Sequence, residues 1–149
     1  WLLTAYRGVV LRFVAPAELQ IAPDILALLD QAGTRYVLSG DFEAALDGAD
    51  AVYMTRIQDE WNAPGAATPV AIDRYSFREE HLGRLKPDAV LMHPFPRRQE
   101  IAVAVDRDPR AVYWRQMRNG MWIRAALILS TFGRQDEVNQ HYDDYKPEA

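Results

Sequence analysis

Cysteine is absent from the 149 residues, so the chain can build neither a disulfide framework nor a thiolate metal site. Its absence fits a reducing compartment. Histidine is scarce: His81, His93 and His141 stand far apart, and no two fall at ligand spacing, which argues against a metal centre. Lysine is nearly missing, since only Lys86 and Lys146 stand among the 17 basic residues. Arginine favours bidentate anion contacts, although coding bias accounts for the skew as well. Neither Gly-x-Gly-x-x-Gly nor a Walker motif occurs, so no glycine-rich phosphate loop is present. No apolar run approaches the ~20 residues of a membrane span, and Trp1-Leu-Leu lacks the charged leader of a signal peptide. A net charge of -4 argues against a general nucleic-acid binder.

What is present suits one folded domain. Hydrophobic residues make up 49%, enough for a single core and too many for a disordered chain. Trp1 to Tyr6 has no capping residue before it and reads as the last turns of a helix, closed by Gly8. Val9 to Val14 reads as a strand, stopped at Ala15-Pro16. Pro23-Asp24 starts a helix with Ile25, Leu26, Leu28 and Leu29 at helical spacing and Gly33 as terminator. Arg35 to Leu38 is the next strand, and Ser39-Gly40-Asp41 caps a short helix carrying Phe42, Ala45 and Leu46 that ends near Gly48.

Ala51 to Thr55 is a third strand, and the segment from Asn62 to Pro69, with Pro64 and Gly65, is a loop. Val70 to Ile72 is a candidate brief strand. Ser76, with Glu79 three residues on, predicts a capping box for a helix through Leu85. Lys86-Pro87-Asp88 turns into a fourth strand, Ala89 to Met92. Asp108-Pro109 opens a long helical region, interrupted at Asn119-Gly120 and resumed from Met121 to Phe132. Residues 135–149 are polar and acidic and are expected to be a loosely ordered tail. The alternation of strand and helix with tight loops predicts an α/β fold, a doubly wound, Rossmann-like parallel sheet. Such a fold normally begins with a strand that becomes central; here the first complete element is the strand at Val9, preceded only by a helix remnant.

The chemistry concentrates in two stretches, Tyr53-Met-Thr-Arg-Ile-Gln58 and His93-Pro-Phe-Pro-Arg97, each following an apolar run that reads as a buried strand. Ligands of parallel sheets bind outside the carboxyl ends of the strands, so both stretches are expected on one rim. Arg56 and Gln58 place a guanidinium fork beside an amide, suited to gripping a small carboxylate. Pro94 and Pro96 remove two backbone donors and fix two φ values, which makes the second stretch a stiff turn. Phe95 before Pro96 favours a cis bond, because an aromatic ring stacks on proline in that form and a cis bond gives a compact type VI turn. His93 reads either as a general base or as a hydrogen-bonded residue shaping the turn, with the second reading preferred. Arg97 and Arg98 form a basic pair that either steers anions or pairs with Glu100 or Asp106. Met117, Met121, Trp122, Ile123, Leu127 and Leu129 read as packing residues rather than a cofactor box.

These blocks resemble the second half of the aspartate transcarbamoylases. The matching residues are Tyr53 to Gln58 with Glu60, His93 to Arg97 with Glu100-Ile101, and Asp106-Arg-Asp-Pro-Arg110. Tyr113-Trp-Arg-Gln116 running into Asn119-Gly120, Arg124 and Ala126-Leu127 completes the set, in the family's order and spacing. The sister ornithine enzymes carry His-Cys-Leu-Pro at the proline turn and lack Thr-Arg-Ile-Gln. The resemblance implies that residues 1–134 are an aspartate-binding domain lacking its opening strand, most of the following helix and the preceding carbamoyl-phosphate domain. It implies transfer of the carbamoyl group of carbamoyl phosphate to L-aspartate, in pyrimidine biosynthesis in the cytoplasm, with no cofactor and no metal.

The resemblance further implies that Arg56 and Gln58 hold aspartate and that Glu60 orients the arginine. Main-chain atoms of Pro94, Phe95 and Pro96, joined by a cis proline, would touch both substrates, supported by His93 and Arg97. No catalytic residue is assigned to this half, since the family's catalytic histidine lies in the other one. The expected partners are that missing half, neighbouring subunits of a homotrimer with shared active sites, and regulatory or other pathway subunits. The last helix would cross to the other domain. Trp61 stands where the family commonly has arginine, and Phe95 replaces leucine or methionine. These departures leave open a transcarbamoylase for another amino-acid acceptor, and the absent half leaves open a non-enzymatic fragment or assembly module.

Overall fold

A computed structural model describes residues 2–56 and 72–145. The chain enters through a 3-10 turn at Leu2–Ala5, not an α-helix, and Gly8 follows it in the left-handed region. Strand β1 is Val10–Val14, helix α1 is Pro23–Gln31, strand β2 is Arg35–Ser39 and helix α2 is Phe42–Leu46. Strand β3 is Ala51–Tyr53, strand β4 is Val90–Met92, and helices α3 (Tyr113–Thr131) and α4 (Gln135–Tyr145) close the chain. Pro23 sits in the first turn of α1, where its missing N–H leaves no hydrogen bond unmade. Gly33, at φ 65°, ends α1. The Thr34 N–H returns to the Leu29 carbonyl at 3.0 Å and the Gly33 N–H to Asp30 at 3.1 Å, the pairing of a Schellman cap. Asp41 caps α2 by accepting the Ala44 N–H at 3.0 Å.

The strands are parallel, as expected, giving a mixed α/β fold. They form two separate pairs, β1 with β2 and β3 with β4, where the sequence predicts one doubly wound sheet. Among the described residues the other edges of β1 and β3 carry no strand. This separation has a cost in burial. Strands of a parallel sheet are ordinarily covered on both faces, yet Val10, Val37, Leu38 and Tyr53 are exposed. Of the two runs expected to be buried, β4 is, with Leu91 at 0% exposure, while β3 is half open.

The core therefore gathers on the β3–β4 side. Phe42, Leu46, Met54, Phe77, Leu85, Ala89, Leu91, Ile101, Val105 and Tyr113 form one buried cluster. Phe77 crosses it in extended conformation, bridged to Ile101 through Phe77 N–H to Glu100 O at 2.8 Å and Ala102 N–H to Phe77 O at 2.9 Å. That pairing explains why Ser76 does not cap a helix: the chain cannot be extended at Phe77 and helical from Ser76. Ser76 is buried instead. A 3-10 helix starts only at Glu79 and runs to Arg84, with the His81 ring, not Glu79, accepting the Arg78 N–H at 2.9 Å. Ile72 opens another 3-10 turn, Ile72–Tyr75, and not a strand; Val70 and Ala71 lie outside the described residues.

The long helix starts later than Asp108-Pro109 predicts. Val103–Arg107 is a 3-10 turn, and Ala111 pairs with Leu91 of β4 before α3 begins at Tyr113. Arg110 holds this junction, donating to both carboxylate oxygens of Asp108 at 2.8 Å and to the Leu82 carbonyl at 3.0 Å. Asn119-Gly120 does not interrupt α3, which runs unbroken to Thr131. One interior glycine costs about 1 kcal/mol against alanine, and the helix-favouring residues on either side outweigh it. Gly133, at φ 66°, ends α3 with a second Schellman cap, Arg134 N–H to Leu129 O at 2.9 Å. The tail expected to be loosely ordered is helical over Gln135–Tyr145, because Asp136 and Glu137 suit a helix start and Arg134 pairs with Glu137. Trp114, Met117, Met121, Trp122, Ile123, Leu127, Ile128 and Phe132 leave α3 with a broad uncovered apolar surface. Among the described residues no helix is long and apolar enough to cross a membrane.

Two outcomes follow from this packing. Gly120→Ala adds a Cβ that meets only the mobile end of Arg124, at 3.1 Å. It is expected to raise stability by roughly 0.5–1 kcal/mol, read as a higher thermal midpoint and unchanged or greater helical circular dichroism. The second outcome concerns acid. The Arg110 hydrogen bond holds the Asp108 carboxyl below its ordinary 3.8. A carboxyl lowered in the folded state contributes stability that is fully present above the unfolded value. That contribution is lost as pH falls through the folded value. Asp108→Asn is expected to remove that part of the acid limb, so that unfolding free energy falls less steeply below 3.8 than in the parent chain.

Candidate functional site

The register of β3 on β4 builds the site. Tyr53 lies opposite Met92, and the ladder continues one step further through the Met54 N–H to the Met92 carbonyl at 3.0 Å. Parallel strands paired to their last residues end at the same level, so Arg56 and the turn from Pro94 to Pro96 leave from one rim. Arg56 is half-buried there. Gln58, Glu60 and Trp61 lie outside the described residues.

The second stretch is held from several sides. The Phe95–Pro96 bond is cis, and Phe95 itself sits at φ 56°. That left-handed conformation costs a non-glycine residue roughly 1–2 kcal/mol, so its surroundings must hold it. The Phe95 N–H donates to His93 Nδ1 at 2.9 Å. The Phe95 ring lies 5.0 Å from the Trp114 ring and edge-on to Tyr113 and His93. His93 is buried, and its Nε2 meets Glu100 Oε1 at 2.7 Å. Both ring nitrogens are thus engaged, which leaves no lone pair for a general base. At the entrance to the turn the His93 N–H donates to Gln116 Oε1 at 3.0 Å, and Gln116 Nε2 donates to the Tyr53 hydroxyl at 3.3 Å. Gln116 therefore ties α3 to the ends of both strands.

At the exit Arg97 forks onto Asp106, one nitrogen on each carboxylate oxygen, and also reaches the Tyr113 hydroxyl at 3.2 Å. Of the two partners open to it in the sequence, Arg97 takes Asp106. Its guanidinium carbon lies 5.4 Å from the Tyr113 ring centre and 5.8 Å from that of Trp114, within cation–π range. Arg97's hydrogen bond keeps the Asp106 carboxyl below the usual range, and the Tyr113 hydroxyl, which also donates to it, adds to the effect. Burial, and then the hydrogen bond to Asp106, push the Tyr113 phenol up, so it stays a donor. Glu100, buried beneath the turn, accepts the Arg98 N–H at 3.1 and 3.2 Å.

The supporting roles of Glu100, Asp106, Gln116 and Tyr113 are not visible as motifs, because each acts on a residue several positions away. The traces are that all four stand in the blocks that carry the family resemblance, and that Glu100 and Asp106 are acidic neighbours of the Arg97–Arg98 pair. Among the described residues, surface hollows lie beside Glu79, Val103 and Arg107 and between Thr4–Val9 and Ala32–Arg35.

The comparisons agree on one family. A family model described as the Asp/Orn binding domain of aspartate/ornithine carbamoyltransferase matches residues 1–131. The multifunctional protein CAD of Squalus acanthias is 39% identical over 134 residues, covering 90% of this chain and 6% of that protein. The chloroplastic aspartate carbamoyltransferase 1 of Pisum sativum is 38% identical over 129 residues, covering 86% of this chain and 33% of that one. The crystal structure of aspartate transcarbamoylase from Trypanosoma cruzi in complex with carbamoyl phosphate superposes with a TM-score of 0.72 at 31% identity. That match covers 81% of this chain and 40% of the solved one. The chain thus spans less than half the length of each of these proteins. By matched residues, by fold and by relatives, it belongs to the aspartate/ornithine carbamoyltransferase family, as an Asp/Orn-binding domain of the aspartate transcarbamoylase type.

Proposed function

We propose that this chain is the aspartate-binding half of an aspartate carbamoyltransferase of pyrimidine biosynthesis, with the carbamoyl-phosphate half supplied by a separate segment. The observation that carries the reading is the shared rim, where Arg56 and the Pro94–Pro96 turn leave the paired ends of β3 and β4. Arg56 takes a carboxylate of aspartate through its two-pronged guanidinium, and Gln58 assists it. Glu60 orients Arg56. Main-chain atoms of Pro94, Phe95 and Pro96 close on the carbamoyl group and the aspartate amine, and His93 and Arg97 hold that turn in place.

The reaction then needs no cofactor. The amine lone pair forms a bond to the carbamoyl carbon, the bond from that carbon to the phosphate oxygen breaks, and phosphate leaves with the electron pair. The amine gives up a proton, and the products are N-carbamoyl-L-aspartate and phosphate. This chain contributes position and charge complementarity; the groups that polarise the carbamoyl phosphate belong to the other half. The exposed apolar surface of α3 is the part of this domain that packs on that half. The assembled enzyme is a cytoplasmic homotrimer, each site completed by a neighbouring subunit.

Arg56→Ala in the assembled enzyme is expected to weaken aspartate binding by roughly tenfold to a hundredfold, the equivalent of about 1.5–3 kcal/mol for a charge-assisted contact. Carbamoyl phosphate binding should change far less. Steady-state saturation with each substrate measures both, and an unchanged aspartate curve would overturn the assignment. A panel of amino-acid acceptors tests the alternative that Phe95 and Trp61 select another substrate. Taken alone, the chain is expected to lack transferase activity and to self-associate through α3, as read by turnover assay and light scattering.

A further inference from the structure

Glu100 stands seven residues from His93 and has no place in the substrate contacts above. Its side chain is 8% exposed and that of His93 0%. A carboxylate in such a place is unfavourable unless its oxygens are occupied, and the way they are occupied is informative. The Phe95 N–H points at His93 Nδ1 at 2.9 Å, so Nδ1 carries a lone pair and not a proton. The ring proton is therefore on Nε2, and Nε2 donates it to Glu100 Oε1 at 2.7 Å. The same carboxylate accepts the Arg98 N–H at 3.1 and 3.2 Å. It thus grips the residue before the Pro94–Pro96 turn through an imidazole and the residue after Arg97 through a backbone amide.

From this we infer that Glu100 is a positioning residue for the transfer reaction: it fixes the tautomer of His93, and through it the main-chain direction of Pro94, Phe95 and Pro96. The inference rests on the proposed contact between that turn and the substrates. A buried aliphatic residue would fill the same space. A hydrogen-bond acceptor there both keeps the ring proton on Nε2 and anchors the exit amide, which an aliphatic residue does not. Were the proton to move to Nδ1, two N–H groups would face each other at Phe95, and the residue's left-handed backbone would lose the bond that holds it. The consequence would fall on the geometry of the reacting groups, where a displacement near 1 Å costs on the order of a hundredfold in rate.

Two substitutions of His93 separate positioning from mere stability. In His93→Asn the side-chain oxygen replaces Nδ1 and still accepts the Phe95 N–H, while contact with Glu100 is lost. In His93→Gln the longer amide replaces Nε2 and keeps the Glu100 contact, while the acceptor for Phe95 is lost. Measured on the assembled enzyme, kcat/KM for aspartate is expected to be about tenfold higher in the Asn than in the Gln variant. A pair that serves only folding stability gives the opposite order, and Gln equal to or above Asn would overturn the inference.

Glu100→Ala is expected to lower kcat/KM by roughly tenfold to a hundredfold, and Glu100→Gln to recover part of the loss. Imidazole nitrogen resonances should show His93 protonated on Nε2 in the parent enzyme and no longer so fixed in Glu100→Ala. Parent-level kcat/KM in a folded Glu100→Ala enzyme, alongside a loss of aspartate binding in Arg56→Ala, would reject the positioning role and leave the site assignment standing. Parent-level behaviour in both would reject the site assignment itself. Should Glu100→Ala fail to fold, the order of the two His93 variants decides.

Discussion

The pairing of β3 with β4 is the constraint on which the rest depends. These two strands, Ala51–Tyr53 and Val90–Met92, are far apart in sequence and short. Their parallel register nevertheless brings Arg56 and the proline turn to one level. Each strand is fastened beyond its own ladder. Leu91 is buried and exchanges backbone hydrogen bonds with the Arg110–Val112 segment, and Gln116 reaches from α3 to the ends of both strands. Rigid elements thus set the starting points of two loops, which is the division of labour expected where loops carry function.

The proline turn shows how such a loop is made stiff. Proline removes donors and fixes φ, but it does not choose the direction of the residue between two prolines. At Phe95 that choice falls to an acceptor, His93 Nδ1, and to the Trp114, Tyr113 and His93 rings around the Phe95 side chain. Beneath them lie the buried His93–Glu100 pair and the Arg97–Asp106–Tyr113 cluster. Burying charge in this way is unfavourable unless every partner is present, and here each carboxylate has more than one. The turn is thus densely bonded, while β1 and β2 remain thinly covered among the described residues.

That imbalance also explains the surface. Exposed Val10, Val37 and Leu38 on one strand pair and the apolar face of α3 are unusual in a finished domain. They are consistent with a chain that spans only 33% of its plant relative and 40% of the solved parasite enzyme.

Much was legible in the order of residues alone. Local rules sufficed for the Pro23 start and Gly33 stop of α1 and for the Asp41 cap, because each depends on neighbours in the chain, while the cis bond before Pro96 was legible from Phe95 together with the family resemblance. The family resemblance was likewise readable, since the residues of each matching block are contiguous. Reading failed where a distant partner decided. Ser76 and Glu79 have the pattern of a capping box, but Phe77 pairs with Ile101 and keeps the chain extended. Asn119-Gly120 has the pattern of a break, but α3 continues through it. Above all, only the tertiary structure could show which of Arg97's acidic neighbours it grips and where Glu100 lies. A hydrogen bond between residues apart in the chain is set by how the strands and helices stack around them, and sequence spacing carries no measure of that.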